Sequence, residues 1–119
     1  METIAKLCQQ ELLTIFNRKL HSSMYGSGLP DEVIIVDGRV YWCEFKRPGG
    51  KLTGQQRGVL SSIKKAGGNA YAIVGISRNV MHVLEPPKWN VKYKLTKSNG
   101  SWDGLRDMLG LPPKMEIDI

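Results

Sequence analysis

With 119 residues, 41% of them hydrophobic and 24% charged, the chain is long enough for one core and too short for two comfortable domains. No run is apolar enough to span a bilayer, and the start, METIAKLCQQELL, lacks the pattern of a signal peptide, so a soluble, cytoplasmic protein without a membrane partner is expected. Seventeen Lys and Arg against 11 Asp and Glu give a formal net charge of +6, which favours a polyanion, nucleic acid first; Cys8 and Cys43, outside any CxxC or Cys/His cluster, argue against a disulfide framework or structural zinc.

From Glu2 to about Leu20, the residues Ile4, Cys8, Leu12, Ile15 and Phe16 recur at helical spacing and predict an amphipathic first helix. YGSGLP, residues 25–30, breaks it. Glu32 to Val36 and Arg39 to Phe45 are β-rich runs joined by Asp37-Gly38, a strong signal for a tight antiparallel hairpin. After the glycine-rich RPGGKLTG, a second helix is expected from near Thr53 to Gly67-Gly68, with Val59, Leu60 and Ile63 inward. NAYAIVGI predicts a third strand and NVMHVLE a fourth. In NVKYKLTK, Val91, Tyr93 and Leu95 alternate with Lys92, Lys94 and Lys97, predicting a strand with one charged face. SWDGLRDML closes the chain with a short helix for which Ser101 is the expected cap.

The hairpin places charge in an unusual setting. Counting outward from Asp37-Gly38 sets Val36 opposite Arg39, Ile34 opposite Tyr41 and Glu32 opposite Cys43, and the next step sets Asp31 opposite Glu44. Directly opposed residues have Cβ atoms about 5 Å apart, and two carboxylates so placed repel unless a cation lies between them. Hard divalent ions such as Mg²⁺ use one or two carboxylates plus water and phosphate oxygens. Strand periodicity puts Lys46 on the face of Glu44, where an ammonium can orient water or offset charge on a phosphate. On the first predicted helix, Glu11 interrupts the stripe formed by Ile4, Cys8 and Ile15; on the second, Gln56 shares the inward face of Leu60 and Ile63, and spacing alone gives Gln55 nearly the same position.

LPD at 29–31, CEFK at 43–46, a preceding helix with Glu11 and a following helix with a glutamine together resemble the PD-(D/E)xK nuclease superfamily. More narrowly, GLPDEVIIVDGRVYWCEFKRPGGKLTGQQ is similar to the VRR-NUC family of virus-type replication-repair nucleases, in a standalone phage or prophage form, with the match covering about residues 11–75. The resemblance implies a restriction-endonuclease-like α/β fold in one domain over 1–119. Its core is a mixed sheet flanked by helices in the order α-β-β-α-β, with a basic strand and short helix added over about 85–119. It also implies Mg²⁺- or Mn²⁺-dependent hydrolysis of DNA. In that family the helix acid, the Asp of PD, and the Glu and Lys of ExK form the site, matching Glu11, Asp31, Glu44 and Lys46; the glutamine corresponds to Gln56, although Gly54 stands where proline is usual. The Phe45 backbone carbonyl is the implied further metal ligand beside Glu11, Asp31 and Glu44. Standalone members are homodimers that handle branched DNA such as Holliday junctions.

Basic residues expected along the phosphate backbone are Lys19, Arg47, Lys51, Arg57, Lys64 and Lys65 near the core, and Lys88, Lys92, Lys94 and Lys97 in the tail. Trp89, Trp102 and Tyr93 are expected to pack rather than to stack on bases, and His21 and His82 are isolated from other ligand-type residues. One alternative to an endonuclease is a catalytically silent nucleic-acid-binding module on the same fold, which the intact acids and lysine oppose; a second is a subunit that depends on a partner for specificity, with which the basic tail and small size are compatible.

Overall fold

The structure is a computed structural model that describes residues 3–20 and 28–113. His21 and the first half of the predicted break at 25–30 lie outside the described residues. Seven strands form a single sheet in sequence order: β1 (Ile15–Lys19), β2 (Glu32–Val36), β3 (Arg39–Lys46), β4 (Asn69–Ser77), β5 (Val80–Glu85), β6 (Asn90–Ser98) and β7 (Ser101–Asp103). All neighbours are antiparallel except β3 and β4, which run parallel because helix α2 (Gly54–Lys65) carries the chain between them. Helices α1 (Ile4–Gln10) and α3 (Leu105–Met108) complete the described elements.

The two sheet faces carry different cores. Ile4, Leu7 and Cys8 of α1, with Leu105 and Met108 of α3, pack on Ile34, Cys43, Ile73, Met81 and Leu95. Against the other face, Leu60 of α2 packs on Ala70 and Ala72, whose small side chains let the helix lie close. Strand periodicity separates the two sets on β4, where Tyr71 and Ile73 join the larger core and Ala70 and Ala72 the smaller.

The Asp37-Gly38 hairpin has the register that counting from the turn predicts, Val36 opposite Arg39 through Glu32 opposite Cys43. Helix α2 begins as expected: Thr53 accepts from the Gln56 N–H while the Gln56 side chain accepts from the Thr53 N–H, a reciprocal capping box. It ends at Lys65, two residues before Gly67 turns with φ +92°.

Two expectations are corrected. The first helix does not reach Leu20; it stops at Gln10, and residues 15–19 form β1, antiparallel to β2. The stop is a Schellman turn, in which the Leu12 N–H donates to Gln9 O and the Leu13 N–H to Cys8 O. Leu12 takes the left-handed position, φ +59°, that glycine usually fills, so the sequence carries no glycine to mark the end. The second correction is at Ser101, which does not cap the last helix but opens β7, paired with Ser98 across an Asn99-Gly100 turn whose residues both have positive φ. Gly104 precedes α3 instead.

Candidate active site

The described site lies where β2 begins and β3 ends. Continuing the Glu32–Cys43 register by two residues puts Pro30 opposite Phe45, and proline has no N–H to offer the Phe45 carbonyl. The Phe45 N–H, which points to the same edge, donates instead to Asp31 Oδ2 at 2.8 Å. The PD pair thus interrupts the ladder, leaving a carboxylate and a strand carbonyl side by side. Gly28, φ +93°, holds this loop against α2: a Cβ there would come within 2.8 Å of Gln55 O.

Glu44 is the buried member of the site, 3% exposed. Its Oε2 accepts from Gln56 Nε2 at 3.4 Å and lies 3.7 Å from Lys46 Nζ. Its Oε1 is buried without a hydrogen-bond partner among the described residues. Burial first, then the adjacent Asp31 carboxylate, raise the Glu44 carboxyl from 4.5 to about 8, against a smaller opposing pull from Lys46. A buried acceptor without a donor costs about 1–3 kcal/mol, and a second carboxylate beside it adds repulsion. Asp31, Glu44 and the Phe45 carbonyl therefore form an all-oxygen set suited to a hard divalent cation that retains water.

The structure brings Asp31, Glu44, Lys46 and Gln56 together, and it separates the two glutamines, because Gln56 touches Glu44 whereas Gln55 is exposed. Glu11 is placed differently. It sits at the C-cap of α1, and its Oε1 accepts from Ser101 Oγ at 2.8 Å and from the Trp102 N–H at 3.1 Å. The cavity it lines is walled by β7 and α3. Two of the candidate phosphate-binding lysines, Lys64 and Lys92, pair with Glu85, while Arg47, Lys51, Arg57, Lys65 and Lys94 are exposed. Trp102 is buried, and Trp89 packs beside the Leu60 cluster within 6.0 Å of the Arg57 guanidinium.

Sequence reasoning overlooked Glu32. It is 2% exposed, its Oε1 accepts from Asn17 Nδ2 at 2.7 Å, and burial raises its carboxyl above the ordinary range. This contact fastens β1 to β2 immediately beside Asp31. Alternation along Glu32, Ile34 and Val36 puts Glu32 on the core face, but the helical spacing of residues 4–16 hides the strand that carries its partner Asn17.

No family model and no curated protein matches the chain. Among solved structures it is similar to Hjc of Archaeoglobus fulgidus, described as a Holliday junction resolvase from an archaeal hyperthermophile. The TM-score is 0.51 at 14% identity, over 83% of this chain and 77% of that one. The fold is restriction-endonuclease-like. The expected mixed sheet flanked by helices is present, with β1 and β7 as strands beyond the predicted set. At this level of identity the likeness is one of architecture, and the chemistry must be argued from the residues themselves.

Proposed function

We propose that the chain is a metal-dependent deoxyribonuclease that hydrolyses phosphodiester bonds in branched DNA such as Holliday junctions, in phage replication, recombination or repair. The reading includes membership of the VRR-NUC family in its standalone form. The observation that carries it is Glu44, buried against Asp31 with Oε1 unpartnered among the described residues, and flanked by Lys46 and Gln56. The fold shared with Hjc, itself described as a Holliday junction resolvase, supports the choice of substrate.

Asp31, Glu44 and the Phe45 carbonyl would hold Mg²⁺ or Mn²⁺. When bound, the ion supplies Lewis-acid stabilisation of charge on the phosphate and a more acidic water. The chain's own groups do the positioning. Lys46, tethered by Glu44, orients the attacking water and offsets negative charge developing on the phosphate. Gln56 holds Glu44 from a helix start that its own side chain caps, so its position is tied to α2. Glu11, the implied helix acid, is assigned the joining of α1 to β7 that its hydrogen bonds describe.

A homodimer belongs to the same reading. Phe16, Ile35 and Val40 lie in register across β1, β2 and β3, each more than a third exposed, on the sheet face that also carries Glu44. Exposed Arg47 and Lys51 follow Lys46 and suit the phosphates on either side of the cut.

The test is cleavage of labelled four-way junction, flap and linear duplex DNA with Mg²⁺ or Mn²⁺, beside Asp31→Ala and Glu44→Ala proteins. Structure-selective cuts by the native protein, lost in both variants while junction binding persists, are expected. Equal cleavage by either variant, or binding without cuts under both metals, overturns the proposal, and the second outcome leaves a binding module.

A further inference from the structure

The larger-core side of the sheet has its own opening near the site. Lys46 pairs with Val74, and just beyond them Pro48, after β3, and Gly75 and Ser77, at the end of β4, border a cavity of about 380 Å³. The cavity lies at the carboxyl end of the parallel β3–β4 pair, where α/β sheets commonly receive ligands, and its volume is within the range of small-molecule sites. Its floor is apolar, built from Met81 and Trp102, both almost wholly buried. Its rim carries Arg78, Lys97 and Ser77 and no carboxylate.

The cations are held in place by the fold. The register of β4 on β5 skips Ile76, and this bulge leads into the turn that carries Arg78. The Lys97 N–H donates to Asn79 O at 2.9 Å, which fixes that turn against β6. Lys97 lies directly across from Trp102 in the β6–β7 register, with Nζ 6.0 Å from the indole centroid. Among the described residues, neither Arg78 nor Lys97 has an acidic partner, in contrast to Lys46, Lys64 and Lys92. Trp102 Nε1 is in addition a buried donor without an acceptor among the described residues.

We infer that this cavity binds one nucleotide unit, its phosphate between Arg78 and Lys97 and its base over the Met81–Trp102 floor. An apolar floor under a rim with two unpaired cations matches the two halves of a nucleotide, whereas a bare anion would leave the floor unused and an apolar ligand would leave the cations unused. The inference rests on the nuclease reading and deepens it. Pro48 is two residues beyond Lys46, so the cavity opens at the end of β3 that carries Glu44 and Lys46, on the opposite face of the sheet. A base in this cavity is not paired in a duplex, which gives the protein a local means of preferring branch points and unpaired ends over continuous duplex.

The test reads binding without metal or turnover. In a Trp42→Phe, Trp89→Phe protein the only indole is Trp102, and its emission is followed on adding thymidine 5′-monophosphate, thymidine, inorganic phosphate or a single-stranded thymidine tetranucleotide. Calorimetry on the native protein repeats the titrations in case the double variant does not fold. Saturable binding of the monophosphate or the tetranucleotide is expected, at least about tenfold tighter than of thymidine or phosphate, and weakened about tenfold or more by Arg78→Ala with Lys97→Ala. Binding of the tetranucleotide alone assigns the cavity to a unit within a strand; binding of both assigns it to the nucleotide itself. Equal affinity for inorganic phosphate, no saturable binding, or affinity unchanged by the double substitution overturns the inference. Cleavage measured separately keeps the two proposals distinct: normal cleavage with unaltered junction preference in the Arg78/Lys97 variant removes the cavity alone, and nucleotide binding without cleavage removes the nuclease alone.

Discussion

Glu44 shows how one position joins stability to chemistry. Folding moves its carboxyl from 4.5 to about 8, so the folded chain holds this proton more tightly than the unfolded chain does. The stability this contributes is full below the unfolded value, falls as pH rises toward the folded value, and is lost above it. In metal-free buffer the melting temperature should therefore drop between about pH 5 and about pH 8 more steeply in the native protein than in Glu44→Gln. Glu32 shifts in the same direction, and its share persists in the variant. Adding Mg²⁺ near the upper end should raise the melting temperature of the native protein and not that of Glu44→Gln, since a bound ion replaces the proton. Equal slopes in the two proteins would place the titration elsewhere.

At the scale of elements, the end of α1 decides the neighbourhood of the site. The Schellman turn lets the chain reverse into β1, and β1 brings Asn17 to Glu32 beside Asp31. Leu12 occupies the left-handed position with its side chain 92% exposed, so it contributes strain without compensating burial. Leu12→Gly should raise stability by about 1 kcal/mol, seen as a higher midpoint in urea with an unchanged slope. A lower midpoint would mean that the leucine makes contacts beyond this turn. The same helix end explains why β1 is not legible in the sequence, and β7 has a separate cause. Ile4 to Phe16 keep helical spacing across a break that has no glycine, so β1 was hidden; the Asn99-Gly100 pair that opens β7 was visible, but the cap-like serine after it pointed to a helix.

For the whole molecule, charge is the quantity that acts at distance. The formal net charge is +6, and the cations left outside ion pairs include Arg47 and Lys51 beside the site and Arg78 and Lys97 at the cavity. Junction affinity should fall by orders of magnitude between about 50 and about 200 mM salt if several phosphates are neutralised. Replacing Lys51 should reduce the slope by about one contact, whereas replacing Lys64, already paired with Glu85, should change it less. A salt-independent affinity would contradict a polyanion partner.

Features that depend on local geometry are legible in the residues alone. Asp37-Gly38 fixed the hairpin register, the register set Asp31 beside Glu44, strand alternation added Lys46, and the start of α2 fell near Thr53 after the glycine-rich loop. Each follows from a turn, a strand period or a helix cap, whose reach is a few residues. Features that join segments distant in the chain needed the assembled fold. It chose Gln56 over Gln55, since the contact is with β3; it turned the Glu11 oxygen toward β7, ninety residues away in sequence; and it set Lys64 and Lys92 on Glu85. It also joined Pro48, Met81, Lys97 and Trp102 around one cavity. Spacing places a side chain on a face, but its partner depends on which other segment the sheet brings to that face, and no period within one element records that choice.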